Sequence, residues 1–122
     1  MNGITTVAFG HPDETRSFSH GRVDIVRVGN STMAQLSLEP GWHWEEDIKP
    51  LAGTERCQVR HVGYMIAGRL SVTMEDGSTQ EITPGQTYVI EPGHDAAVVG
   101  NDVVLAVEFS TEAAETFAKT IR

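Results

Sequence analysis

An all-β fold of short antiparallel strands, closed into a two-sheet sandwich or barrel, is predicted by three observations on the 122-residue chain. Glycine, proline and aspartate punctuate the sequence about every 8 to 12 residues from Arg22 to Phe109, a rhythm that belongs to sandwiches and barrels. In the runs Met33 to Leu38 and Leu70 to Met74 apolar and polar residues alternate with period two. Convincing helical character is confined to the tail.

The strands follow in order. Val23 to Val28 ends at Gly29-Asn30, and Met33 to Leu38 ends at Pro40-Gly41. In the second run Ala34, Leu36 and Leu38 share one face, while Gln35, Ser37 and Glu39 share the other. Tyr64, Met65 and Ile66 belong to a strand that enters Gly68, and Leu70 to Met74 alternates cleanly after it. Asp76-Gly77 then reads as a two-residue type I′ hairpin turn into Thr79 to Ile82. Thr83-Pro84-Gly85-Gln86 turns the chain into Thr87 to Ile90. Glu91-Pro92-Gly93-His94 precedes Ala96 to Val99, and Val103 to Phe109 is a final buried strand. Residues 1–20 carry weak periodicity and are expected to form an N-terminal arm; residues 21–122 form the single domain. In the tail, Ser110 or Thr111 can cap a short C-terminal helix with glutamates in its first turn.

Composition bounds the function. Nine basic against seventeen acidic side chains give a net charge of −8, which repels phosphate backbones and anionic lipid surfaces, so no nucleic-acid or membrane partner is expected. The apolar runs are far shorter than the roughly 20 residues of a membrane-spanning helix. Met1 to Thr6 lacks the basic start and apolar stretch of a secretory signal. The lone Cys57 excludes an intrachain disulfide, so a reducing, cytoplasmic location is expected.

Two segments, Gly41 to Gly68 and Gly85 to His94, resemble the two sequence motifs of the cupin superfamily. Counting forward from Gly41, five residues lead to Asp47 and then Lys49, where the family's His-x-His falls. Counting back six from Gly68 leads to His61, in the place of the family's glutamate, with Cys57 four positions earlier. In the second motif Gly85 and Gly93 fit, Pro92 is one place late, and His94 is the only histidine at hand. Asp13 to Arg16, Gly21 to Asp24, Pro40-Gly41-Trp42, Gly63-Tyr64, Gly68-Arg69 and Glu91 to Asp95 are similar to a group of small single-domain cupins of uncharacterised function. The resemblance implies a cupin-like double-stranded β-helix, or jelly-roll, barrel. In that group the place of Asp47 is commonly a histidine, so this sequence departs from its relatives there.

Candidate ligands come from those positions. Asp47, His61 and His94 supply two imidazoles and a carboxylate, a set that suits non-haem iron and related metals. Cys57 with His61 and His94 instead favours zinc. Iron, zinc, manganese and nickel are the metals considered. Without metal, both histidines would be hydrogen-bonded pocket residues, Asp47 a surface turn residue and Cys57 a small buried apolar body. If the chain stays extended, Trp42 and Trp44 turn to one side, lining the barrel mouth for a flat ligand or plugging the core. His43 then points the other way, to solvent. Tyr64 and Tyr88 can each offer a hydroxyl to a ligand, or simply pack.

The sequence therefore predicts a small-molecule-binding cupin holding a divalent metal, as a metal-dependent oxygenase, isomerase or lyase. The alternative is a non-catalytic metabolite-binding or sensor cupin. Open sheet edges also predict a homodimer, with the N-terminal arm covering an edge of its partner.

Overall fold

The computed structural model describes residues 3–109 of the chain. The expected tail helix lies outside the described residues. Among the described residues nine strands form two antiparallel sheets: β1 (Glu14–Phe18), β2 (Gly21–Val28), β3 (Ser31–Leu38), β4 (His61–Ala67), β5 (Arg69–Met74), β6 (Thr79–Ile82), β7 (Thr87–Ile90), β8 (His94–Val99) and β9 (Val104–Glu108). The larger sheet runs β1-β2-β3-β9-β4-β7 and the smaller β6-β5-β8. The two face each other as a jelly-roll sandwich. Val23, Ile25, Leu36, Leu38, Met65, Val104 and Ala106 point inward from the first, and Leu70, Val72, Ile82 and Ala96 from the second. Removing such side chains from water stabilises the fold by roughly 1.5–3 kcal/mol for each large aliphatic residue.

Part of the stretch expected as an arm belongs to the larger sheet. β1 pairs antiparallel with β2, from Glu14 opposite Ile25 to Phe18 opposite Gly21. Among the described residues no helix is long and apolar enough to cross a membrane.

Two local expectations are corrected. The β5–β6 turn is not type I′, because Asp76 keeps a negative φ and only Gly77 adopts a positive one, 88°. Met74 and Ser78 close a three-residue loop, with Gly77 N–H donating to Met74 C=O at 3.0 Å and Met74 N–H to Ser78 C=O at 2.9 Å. Asp76 accepts the Ser78 amide at 2.8 Å, which holds it in that geometry. The second correction concerns Trp44, which does not continue an extended run. Residues 42 and 43 lie along β8, through Val98 N–H to Trp42 C=O at 3.0 Å, and the chain then coils into α1 (Trp44–Asp47) and α2 (Lys49–Ala52). Carboxylates at Glu45, Glu46 and Asp47 favour a helix start there, and Asp47 reaches back to accept the His43 amide at 2.8 Å. α2 carries proline in its first turn and ends on Gly53 at φ 75°.

Candidate metal centre

Three strands and one loop bring the centre together. Along β4 the pleat turns His61, Gly63 and Met65 inward and Tyr64 and Ile66 outward. On β8, His94 and Ala96 face the interior, and on β9 Val104, Ala106 and Glu108 do. Residues 58–60 bend the chain so that Cys57 folds back beside His94, with Cys57 N–H donating to His94 C=O at 2.9 Å and Gly93 N–H to Cys57 C=O at 2.8 Å. That bend allows two residues four apart to meet: Cys57 Sγ lies 3.7 Å from His61 Nε2.

The two imidazoles meet inside one cavity, their ring centres 5.3 Å apart and nearly edge to face. Each has its Nδ1 fixed. His61 Nδ1–H donates to Glu108 Oε1 at 2.7 Å, and His94 Nδ1–H donates to the Glu91 carbonyl at 2.7 Å. With Nδ1 so committed, Nε2 is the ring atom each histidine would offer to a metal. One ligand atom from each of Cys57, His61 and His94 lies within 4.8 Å of the others, and all three residues are buried. Zinc bonds of about 2.3 Å to sulfur and 2.05 Å to nitrogen place tetrahedral S and N ligands about 3.6 Å apart. The observed 3.7 Å between Cys57 and His61 fits that spacing.

Electrostatics agree with the donor set. Burial disfavours a thiolate at Cys57, but hydrogen bonds from His61 and His94 outweigh it and lower the pKa to about 6. Burial likewise disfavours charge on His61, yet the Glu108 carboxylate and the Cys57 sulfur together raise its pKa to about 10. A divalent ion held by one thiolate and two neutral imidazoles, with Glu108 behind, would leave the buried centre electrically neutral. Tyr88 completes the outer layer: its O–H donates to Glu108 Oε2 at 2.7 Å, and burial followed by the Glu108 charge keeps the phenol protonated.

The remaining expected residues sort plainly. Asp47 is outside this cluster; it is buried on α1 and bound to His20 Nδ1 at 3.1 Å and the His43 amide, so it is neither a ligand of the cluster nor a surface turn residue. Tyr64 is exposed on the outer face of β4, away from the cavity, because it alternates with His61 and Gly63. His43 does not point freely to solvent but pairs through Nε2 with Asp95 at 2.7 Å. Trp42, Trp44 and Tyr88 do line the cavity. The cavity holds only about 30 Å³, enough for a body of one or two water molecules and too little for an organic ligand. The indole N–H groups of Trp42 and Trp44 are buried and lack an acceptor among the described residues. Sequence reasoning missed Glu108, although Val104, Ala106 and Glu108 share one face by simple alternation, and a carboxylate on an otherwise apolar inward face was the available signal.

These features define a cupin-fold protein with a buried thiolate–imidazole cluster. Solved structures bear out the fold. A polyketide cyclase, RemF from Streptomyces resistomycificus, aligns with a TM-score of 0.60 at 13% identity, over 86% of this chain and 77% of that one. KdgF from Halomonas aligns at 0.55 and 17% identity, over 91% and 97%. A cupin-like protein of Thermotoga maritima aligns at 0.54 and 15% identity, over 85% and 78%. No protein-family model matches the sequence, and no curated protein does.

Proposed function

We propose that the chain binds one divalent transition metal through Cys57 Sγ, His61 Nε2 and His94 Nε2, and acts as a metal-dependent enzyme on a small molecule. The observation that carries this reading is that both histidines have Nδ1 tied to acceptors, that His61 Nε2 lies 3.7 Å from the Cys57 sulfur, and that one ligand atom of each of the three residues lies within 4.8 Å of the others. A thiolate with two imidazoles suits zinc better than manganese, and a redox-inert ion favours isomerase or lyase chemistry over oxygenase chemistry. When bound, the metal would act as a Lewis acid on a substrate oxygen or lower the pKa of a bound water. Glu108 orients His61 and Tyr88.

Cobalt substitution tests the donor set without any assay of activity. Protein produced without a histidine tag should take up one equivalent of Co²⁺ and develop thiolate-to-cobalt absorption, which Cys57→Ser removes and His94→Ala weakens. Neither cobalt nor zinc being retained after dialysis would end this reading.

A further inference from the structure

The two sheets part on one side of the barrel, between β6 and β7, and leave a groove of about 710 Å³. That is the size of sites that hold small molecules. Buried Val72, Ile82 and Ile90 give it an apolar floor, and exposed Gln80, Gln86 and Thr87 give it neutral hydrogen-bonding groups. Among the described residues no lysine, arginine or histidine lines it, and the one charged lining residue is Glu91, paired with Arg60 Nε at 3.0 Å.

The groove and the central chamber share a wall. Tyr88 and Ile90 line both spaces. From that wall a chain of hydrogen bonds runs through the Tyr88 hydroxyl to Glu108 and on to His61. Gly63 makes room for it, because a Cβ there would stand 2.7 Å from the Tyr88 oxygen and 2.6 Å from the Val107 carbonyl.

We propose that this groove is a small-molecule binding site and that it takes an uncharged, hydroxyl-bearing ring compound. The chamber is too small for such a molecule, whereas the groove offers an apolar floor to a ring face and amides and hydroxyls to its edge. A carboxylate or phosphate would find no cation among the described lining residues and would be disfavoured by a chain of net charge −8. The inference concerns binding alone, goes beyond the metal centre proposed above, and is measured on metal-free protein.

Amide chemical-shift titrations with methyl glucoside and resorcinol, against glucuronate and salicylate as their carboxylate counterparts, test it. At least one uncharged ring should shift Gln80, Gln86 and Thr87 saturably, and its carboxylate counterpart should bind about tenfold more weakly or worse, the cost of an unpaired charge. Gln80→Trp should abolish the shifts by filling the groove, and Gln80→Lys should admit the carboxylates. Equal or tighter binding of the carboxylates overturns the proposal, as do shifts confined to other surfaces or no saturable shift with any of the four probes. Metal-free protein that binds the neutral ring but fails to load cobalt would refute the metal centre and leave the groove standing; the reverse result would do the opposite.

Discussion

Replacing Glu108 by glutamine separates charge from shape at the most connected buried residue of the centre. Both carboxylate oxygens are committed, Oε1 to His61 Nδ1–H and Oε2 to the Tyr88 hydroxyl, each at 2.7 Å, and the side chain is 2% exposed. A glutamine of the same shape can accept from His61 with its oxygen and donate to the Tyr88 oxygen with its amide, so packing survives and only the charge is lost. Hydrogen bonds to a charged group are worth about 1.5–3 kcal/mol and neutral ones about 0.5–1.5, so the two bonds together predict a loss of about 2–3 kcal/mol in the metal-free protein. Glu108→Ala leaves two buried donors unpaired and should cost more, about 2–6 kcal/mol. Metal affinity should fall about 10- to 100-fold in Glu108→Gln, the usual effect of losing a carboxylate behind a histidine ligand. Without that carboxylate one of the two groups that raise the His61 pKa is lost, so the pKa should fall and the hold of His61 on the Cys57 thiolate should weaken; the ultraviolet thiolate absorbance of metal-free protein at neutral pH should drop. Urea unfolding and zinc competition against a chromophoric chelator measure the two effects. A Glu108→Gln protein that unfolds at the wild-type urea concentration and holds zinc as tightly would refute the outer-layer role.

Gly63→Ala should destabilise the fold by about 1–3 kcal/mol, because the new methyl meets the Val107 carbonyl and the Tyr88 hydroxyl and pushes the phenol off Glu108; wild-type urea resistance would contradict the crowding argument. The pair of His20 with Asp47 makes stability pH-dependent. The Asp47 hydrogen bond and charge raise the pKa of His20; burial pushes Asp47 up, but the His43 amide, His20 and Ser19 outweigh it and lower its pKa. The His20 contribution is complete below its ordinary 6.5 and is lost as pH rises through the raised value. The Asp47 contribution is complete above its ordinary 3.8 and is lost as pH falls through the lowered one. The pair therefore stabilises most between those two values. His20→Gln should weaken the protein near pH 5 and change it little near pH 9; an equal loss at both pH values counts against the ion pair. We also propose a homodimer formed over the open edges of the sheets, to be checked by light scattering on the eluting species, where a single-chain mass removes it.

The architecture was legible because period-two alternation survives wherever one face of a strand is buried and its ends are marked by turn residues. β3 and β5 carry both signals and β2, β6 and β7 chiefly the turn residues, and the observed bounds of all five lie within two residues of the expected runs. Trp42-His43-Trp44 carries only the first. A three-residue alternation is equally compatible with a bend into a helix, and the choice falls to the three carboxylates that follow and to Asp47 capping the His43 amide. The same capping explains why a motif count misassigned Asp47: spacing locates a position along the chain, but here the side chain is spent on closing a helical turn and holding His20. Cys57 was a candidate whose contact with His61 could not be decided from sequence, because strand geometry separates residues four apart by roughly 13 Å. Only the antiparallel bridge of Cys57 to His94, a pairing across nearly forty positions, folds the thiol back to 3.7 Å from His61. The cluster is thus a product of long-range pairing. Its ligand types were readable one by one, whereas their convergence depended on a register that no local pattern encodes.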